Sequence, residues 1–340
     1  MITLNRLFAG IAFAGAMFVA PMIAHAQPQG RTAADPQQTD AIKAATAQQA
    51  PEVTYDTTLW YRIQPFSHDP FVNRSNSNAK AVNVDKQMFH FEYIDTGGIV
   101  WNSLTITALF ANGSEHATGG ASCPSFVCPA YPYPTSTKAG ARELYATYRG
   151  DISRTGFGGP PIKLPGVTDV MFEFGGDVNY KDDPYAARRK FLLAGPIFYL
   201  DLPGSVTFAV HIAHEFNHNA ITRRDTNFHP TWNTELSYTQ YFDDDHILRL
   251  EGVFNVTGSK GMDTTLSKTT TEFYNYNQIV LDIGQLTGFA AHKVDLFAGV
   301  QFWYNKFGYP AWGHAYGVPD VGAGGGAVEL TPYFGIGVHF

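Results

Sequence analysis

"TPYFGIGVHF", Thr331 to Phe340, closes the chain. Phe334, Ile336, Val338 and Phe340, with Leu330 just before, share one parity; Glu329, Tyr333, Gly335, Gly337 and His339 share the other. A period of two marks a strand with one apolar and one polar face. Chains more often trail off into poorly ordered residues, so an aromatic terminus on such a strand asks for a reason. Two architectures supply one. In a soluble sandwich the polar parity faces water and the apolar parity a second sheet. In a membrane barrel the apolar parity meets lipid and the polar parity the lumen.

The same alternation recurs upstream. Val206, Phe208, Val210 and Ile212 oppose Thr207, Ala209, His211 and Glu215; Leu248, Leu250, Phe254 and Val256 oppose Arg249, Glu251 and Asn255; Val294, Leu296, Ala298, Val300 and Phe302 oppose Asp295, Gln301 and Asn305. About twelve strand-like runs result: 53–65, 84–95, 99–112, 141–152, 167–180, 188–202, 205–216, 229–242, 246–257, 271–286, 293–307 and 328–340. Most span about 12 to 16 residues, whereas ordinary strands run about 5 to 6 and tilted membrane strands need roughly 9 to 11 in the lipid. Short turns ("TGG" at Thr96, "PG" at Pro203, "DDD" at Asp243) alternate with long polar loops. The expected fold is therefore all-β: a transmembrane antiparallel up-and-down β-barrel of about 12 strands, both termini periplasmic. The last strand is expected to close the barrel on 53–65.

The first 26 residues carry Arg6, an apolar stretch from Leu7 to Ala24 interrupted by Pro21, and Ala24-His25-Ala26 as a small-x-small site. They read as a signal peptide cleaved near Ala26, the competing reading being a transmembrane helix. Residues 27–52 are rich in Gln, Ala, Thr and Pro and lack aromatics, the composition of a flexible periplasmic segment. The barrel follows from 53 to 340. The sequence is 44% hydrophobic and 14% aromatic with 33 glycines, yet its mean hydropathy is only −0.15, which suits two-faced strands. A formal charge of −7 argues against a nucleic-acid partner. Cys123 and Cys128 sit in a Gly/Pro-rich loop; in an exported chain they read as a local disulfide, with a metal pair as the alternative.

"HEFNH", His214 to His218, fits H-E-x-x-H. In metalloproteases that spacing sets two His on one helical turn around zinc with the Glu as general base. Residues 206, 209, 210, 213 and 216 can be drawn on a helical face, so a barrel-borne hydrolase is one alternative function. On a strand, residues four apart lie roughly 13 Å apart at about 3.3 Å per residue, too far for a shared metal. No G-x-S-x-G elbow, P-loop or Rossmann fingerprint occurs. No catalytic residue, metal or cofactor is expected.

The lumen parity collects Asp56, Arg62, Glu92, Glu143, Arg149, Glu173, Asp177, Lys190, His211, Glu215, Glu235, Arg249, Glu251, Glu272, Asp282, Asp295 and Glu329, with Tyr145, Tyr241, Tyr274, Tyr276, Trp303 and Tyr333. Mixed charge with an acidic excess suits a water-containing pore that disfavours anions, and aromatics can stack on planar solutes. The alternative is that these charges pair across strands to hold a narrow barrel closed.

"VNVDKQMFHFEY" from Val82, "GARELYATYRGDIS" from Gly140, "RRKFLLAGPIFYLDLPG" from Arg188 and "GVQFWYNKFGYP" from Gly299 resemble stretches of the Tsx-like nucleoside-specific channel-forming outer-membrane proteins and their envelope-protein relatives. That resemblance implies a twelve-stranded monomeric barrel passing nucleosides or similar small solutes by diffusion. The Cys-containing loop departs from the family pattern, and no nucleoside-contacting residue transfers by position. The expected function is passive uptake of small hydrophilic solutes through the outer membrane of a Gram-negative bacterium, nucleosides first among them; a structural or receptor barrel is the other alternative. Expected partners are the outer-membrane bilayer, a small-molecule solute, and the barrel-assembly machinery reading Phe340.

Overall fold

A computed structural model describes residues 54–67, 84–111, 142–181, 188–219, 224–262, 268–308 and 328–340, all within the unit Pro51–Phe340. The expected signal peptide, the expected flexible segment 27–52 and the expected Cys123–Cys128 disulfide lie outside them. Thirteen strands are described: β1 (Thr54–Ser67), β2 (Val84–Thr96), β3 (Val100–Ala111), β4 (Arg142–Ile152), β5 (Val167–Lys181), β6 (Arg188–Leu200), β7 (Ser205–Asn219), β8 (Arg224–Asn227), β9 (Thr231–Tyr241), β10 (Leu248–Thr257), β11 (Glu272–Asp282), β12 (Val294–Tyr304) and β13 (Val328–His339). Twelve of them form one closed antiparallel ring, because β6 also pairs with β7. The short β8 stands apart: it pairs with β7 only over Phe216–Asn219, beyond the point where β9 ends. No helix among the described residues is long and apolar enough to cross a membrane.

β13 closes the ring on β1 in a register running from Thr58 opposite His339 to Ile63 opposite Phe334. The start of β1 and the end of β13 therefore share one rim. Backbone bonds extend the seam past the register, with Phe340 N–H donating to Thr57 O at 3.0 Å. Side chains reinforce it, because the two ring nitrogens of His339 face Asp56 on β1 and Asp295 on β12, each at 3.0 Å.

Connections on the termini rim are mostly tight, for reasons visible in their residues. Gly204, at φ +78°, turns β6 into β7 in a conformation that a side chain disfavours. In the β9–β10 turn the Asp243 carboxylate accepts from Ile247 N–H at 2.8 Å and Leu248 N–H at 2.7 Å, and those donors hold its carboxyl below the usual range. Strict alternation of loop lengths is corrected at three places. The β4–β5 connection on the termini rim runs from Ser153 to Gly166 and contains a 3-10 turn at Thr155–Phe157; β11–β12 on the same rim contains a short helix α1 (Ile283–Thr287) capped by Asp282 at its start. On the opposite rim, only six residues separate β5 from β6.

Outside, the ring carries exposed large apolar side chains on strand after strand, among them Leu59, Phe89, Phe110, Leu144, Phe172, Leu192, Ile212, Ile279, Leu296 and Phe334. Soluble monomers rarely expose contiguous apolar patches beyond a few hundred Å². Inside, polar side chains dominate, but three apolar clusters interrupt them: Met171, Ile197 and Ala209; Phe191, Leu193 and Ala213; Val280, Phe297 and Tyr333. The last cluster depends on small neighbours. A Cβ on Gly299 would lie 2.7 Å from the Tyr333 ring, and one on Gly337 2.9 Å from the Trp60 ring.

Candidate functional site

Strand register decides which side chains meet inside. β1, β2 and β10–β13 form one stretch of wall. There the Arg62 guanidinium stacks 3.6 Å from the Tyr333 ring centre and donates to Gln301 at 2.9 Å, and Gln301 donates to Glu329 at 2.9 Å. Tyr274 meets Trp303 edge to face at 5.2 Å and Tyr276 at 6.3 Å. Toward the termini rim, Arg249 reaches both Glu251 and Asp295 at 2.5 Å, and Gln278 donates to Glu251 at 2.8 Å. Glu92 faces inward from β2 opposite Thr105 of β3.

The facing wall, β4–β9, is organised around Glu173. Arg149 lies 3.7 Å from it and 2.8 Å from Asp177, while His211 Nε2 lies 2.9 Å from it. His211 Nδ1 meets Asn233 Oδ1 at 3.1 Å. Asn233 is oriented by its own amide, which donates to Asn255 and Thr257, each at 2.9 Å. Both ring nitrogens of His211 thus lie close to side-chain oxygens. Asn255 carries the network on to Glu235 at 3.1 Å. Asn179 donates to Glu143 at 2.6 Å, and Tyr145 projects from the same inward face of β4, opposite Asn179. Such pairs restrain the wall, since breaking a buried, hydrogen-bonded ion pair leaves a charge uncompensated.

Of the residues assigned to the lumen parity, Lys190 is placed differently. It pairs with Val178 and Phe216, both on the outer parity of their strands. Arg189 points inward in its place and meets Glu215 at 3.0 Å. The parity of β6 is ambiguous in sequence because both faces are apolar: Phe191, Leu193 and Ile197 are buried inside, while Leu192 is exposed outside. The remaining assigned residues occupy inward positions of their strands.

The H-E-x-x-H match lies on β7, a strand, and not on the helix that the zinc alternative requires. His214 and His218 take the outer parity and bond to Asn227 at 2.5 Å and Asp225 at 2.8 Å. Glu215 takes the inner parity, fully buried between Arg189 and Lys260. Among the described residues no group of three or more His, Cys, Asp or Glu is placed to hold a metal ion.

Lys260 was not legible as a buried, ion-paired residue. It follows the end of β10, where alternation stops, and yet its side chain is wholly buried at the rim opposite the termini. Asp151, one residue before the end of β4, also shares the inward parity of Arg149 and accepts from the Tyr199 hydroxyl at 2.7 Å.

No protein-family model matches the chain, and no curated protein matches it. Solved structures similar to it include the translocator domain of autotransporter NalP from Neisseria meningitidis, with 9% identity, a TM-score of 0.36, and 89% of this chain and 94% of that one covered. An anion-selective porin from Comamonas acidovorans shows 10% identity and a TM-score of 0.34 over 85% of this chain and 99% of that one. The outer-membrane expressed OmpT of Vibrio cholerae shows 9% identity and a TM-score of 0.33 over 86% and 99%. Likeness at this level assigns neither family nor substrate, and the barrel assignment rests on the closed strand pairing itself.

Proposed function

We propose that the chain is an outer-membrane channel of a Gram-negative bacterium that passes small hydrophilic solutes passively and favours cationic or neutral ones over anions. One observation carries this reading: a closed ring of long strands is apolar outside and, inside, is lined by carboxylates and aromatic rings. Backbone groups in a bilayer must be satisfied within the protein, which a closed barrel achieves. The outer parity then faces lipid and the inner parity a polar lumen. The shared rim of β1 and β13 is the periplasmic one in this reading, and Phe340 at its edge is presented to the assembly machinery.

Inside, carboxylates on both walls lower the energy of a cation along the path, while the partly exposed Tyr274 and Tyr276 offer faces on which a planar solute can stack. Nucleosides combine a planar ring with a neutral polar sugar and are the first solutes to test. Transport of this kind requires weak binding at several successive points and no catalytic residue, metal or cofactor. Purified protein in planar bilayers is expected to give discrete conductance steps, a cation-selective reversal potential in a KCl gradient, and partial block by added nucleosides. Glu235→Gln and Glu92→Gln should each lower the cation preference. A protein that folds into the bilayer and gives no steps refutes the channel; steps untouched by nucleosides refute that solute class alone.

A further inference from the structure

Positive charge on the outer surface of the ring is confined to one place. Among the described residues of the twelve ring strands, the lysines and arginines of outer parity are Arg142 on β4 and Arg188 and Lys190 on β6. All three are exposed and lie within the first three residues of their strands, at the rim opposite the termini. β4 to β7 carry no Asp or Glu on that parity. Asp225, on the outer side of β8, is held by His218 at 2.8 Å.

β6 shows where this charge stands relative to the apolar wall. From Lys190 toward the termini rim its outward residues are Leu192, Ala194, Pro196, Phe198 and Leu200. Leu200 and Lys190 are separated by roughly 33 Å of strand at about 3.3 Å per residue. At a tilt of about 40° that is roughly 25 Å of height, the height of the apolar band of a membrane barrel. Lys190 therefore stands at the edge of the band, between Val178 and Phe216. Arg188 lies beyond it, its guanidinium 4.7 Å from the centre of the Tyr180 ring. Neither meets a carboxylate of the described residues. A lysine at that level rests its stem on the apolar wall and holds its ammonium among lipid headgroups. Leu144, Val178, Leu192 and Ile212 form the exposed apolar surface next to the three cations.

We propose that this patch binds a phosphorylated glycolipid of the outer leaflet: Arg188 and Lys190 take one phosphate of its headgroup, Arg142 takes another, and the acyl chains lie along the apolar wall. The site rests on the membrane reading above, with the termini rim periplasmic, and not on conduction. Clustered Lys and Arg at a membrane surface attract anionic headgroups, and a guanidinium meets a phosphate with two parallel N–H bonds. From β4 to β6 the cations span two strand spacings, roughly 10 Å at about 4.8 Å each. That width favours a headgroup with two phosphates over a phospholipid with one.

The test is native mass spectrometry of the full-length folded protein in detergent micelles, titrated with diphosphoryl lipid A, its dephosphorylated form, and phosphatidylglycerol. One copy of diphosphoryl lipid A is expected to bind about fivefold or more tightly than phosphatidylglycerol, for the cation that a second phosphate engages. The dephosphorylated form should bind more weakly still. An Arg188→Gln, Lys190→Gln double variant should weaken binding of diphosphoryl lipid A roughly 30-fold, and Arg142→Gln about fivefold; Arg142→Gln decides the matter if the double variant does not fold. Arg154→Gln with Lys163→Gln removes the same charge from exposed positions of the β4–β5 connection on the termini rim and should change nothing. Equal weakening by the two double variants, or equal binding of the dephosphorylated form, overturns the site. Phosphatidylglycerol bound as tightly overturns the two-phosphate headgroup. Insertion into phosphatidylcholine vesicles, read by protease protection, reports the underlying reading separately: a chain that inserts but shows no lipid preference loses the site alone, and one that does not insert loses both.

Discussion

Replacing Phe334 with Arg is the sharpest test of which parity faces lipid. Phe334 lies on the outer parity of β13, between Ala298 of β12 and Ile63 of β1, and half its surface is exposed. About six residues of strand separate it from each end of β13, or roughly 20 Å along the chain at about 3.4 Å per residue. A strand tilt of about 40° reduces this to roughly 15 Å of depth from either rim, near the middle of an apolar band about 25 Å tall. An Arg at the midplane of such a barrel costs about 2–4 kcal/mol, falling to about 0–1 kcal/mol near the interface. At about 1.4 kcal/mol per factor of ten, the folding equilibrium should fall by roughly 30- to 700-fold. Leu330, four residues nearer the rim on the same face, provides the comparison: Leu330→Arg should cost no more than about 1 kcal/mol. The assay is reversible folding into phosphatidylcholine vesicles across guanidinium concentration, followed by Trp fluorescence, with Phe334→Ala measured alongside to subtract the lost ring. If both Arg variants lie within about 0.5 kcal/mol of their Ala counterparts, the outer parity does not face hydrocarbon and the membrane assignment fails.

Three further outcomes follow from the same structure. His339→Ala removes the link between Asp56 and Asp295 at the seam and should cost about 1.5–3 kcal/mol in the vesicle titration, as for hydrogen bonds to charged groups; an unchanged midpoint shows that the seam is held by backbone pairing alone. Gly299→Ala places a methyl group against the Tyr333 ring and the carbonyl of Asn277, so a loss of about 1–3 kcal/mol is expected from overpacking, with a neutral result indicating a mobile ring. Purified protein should contain no stoichiometric zinc by elemental analysis, and a His214→Ala, His218→Ala double variant should fold normally, because these side chains lie on the outer face and hydrogen-bond to β8; one zinc per chain that disappears in the variant would restore the metal reading.

Alternation along β7, β10, β12 and β13 was legible because it is a local property: the pleat sends successive side chains to opposite faces whatever the neighbouring strand is. β6 resisted the same reading. Its interior face carries Phe191, Leu193 and Ile197, which pack against neighbours across the wall, so hydropathy did not distinguish inside from outside and Lys190 was exchanged for Arg189. The H-E-x-x-H match needed the same tertiary information. Its letters are neutral between helix and strand, and only the pairing of β7 with β6 and β9 separates the two histidines from the glutamate by a sheet.

The amino-acid sequence by itself determined the all-β class, the positions of almost all the barrel strands, the lumen parity of nearly every charged strand residue and the closing role of Thr331–Phe340. These rest on period two, strand length and turn chemistry, each confined to a few consecutive residues. The tertiary structure alone decided which inward groups meet: His339 between Asp56 and Asp295, His211 between Glu173 and Asn233, and Lys260 between Glu215 and Glu272. Register across the ring brings together residues far apart in the chain, and no local pattern records it.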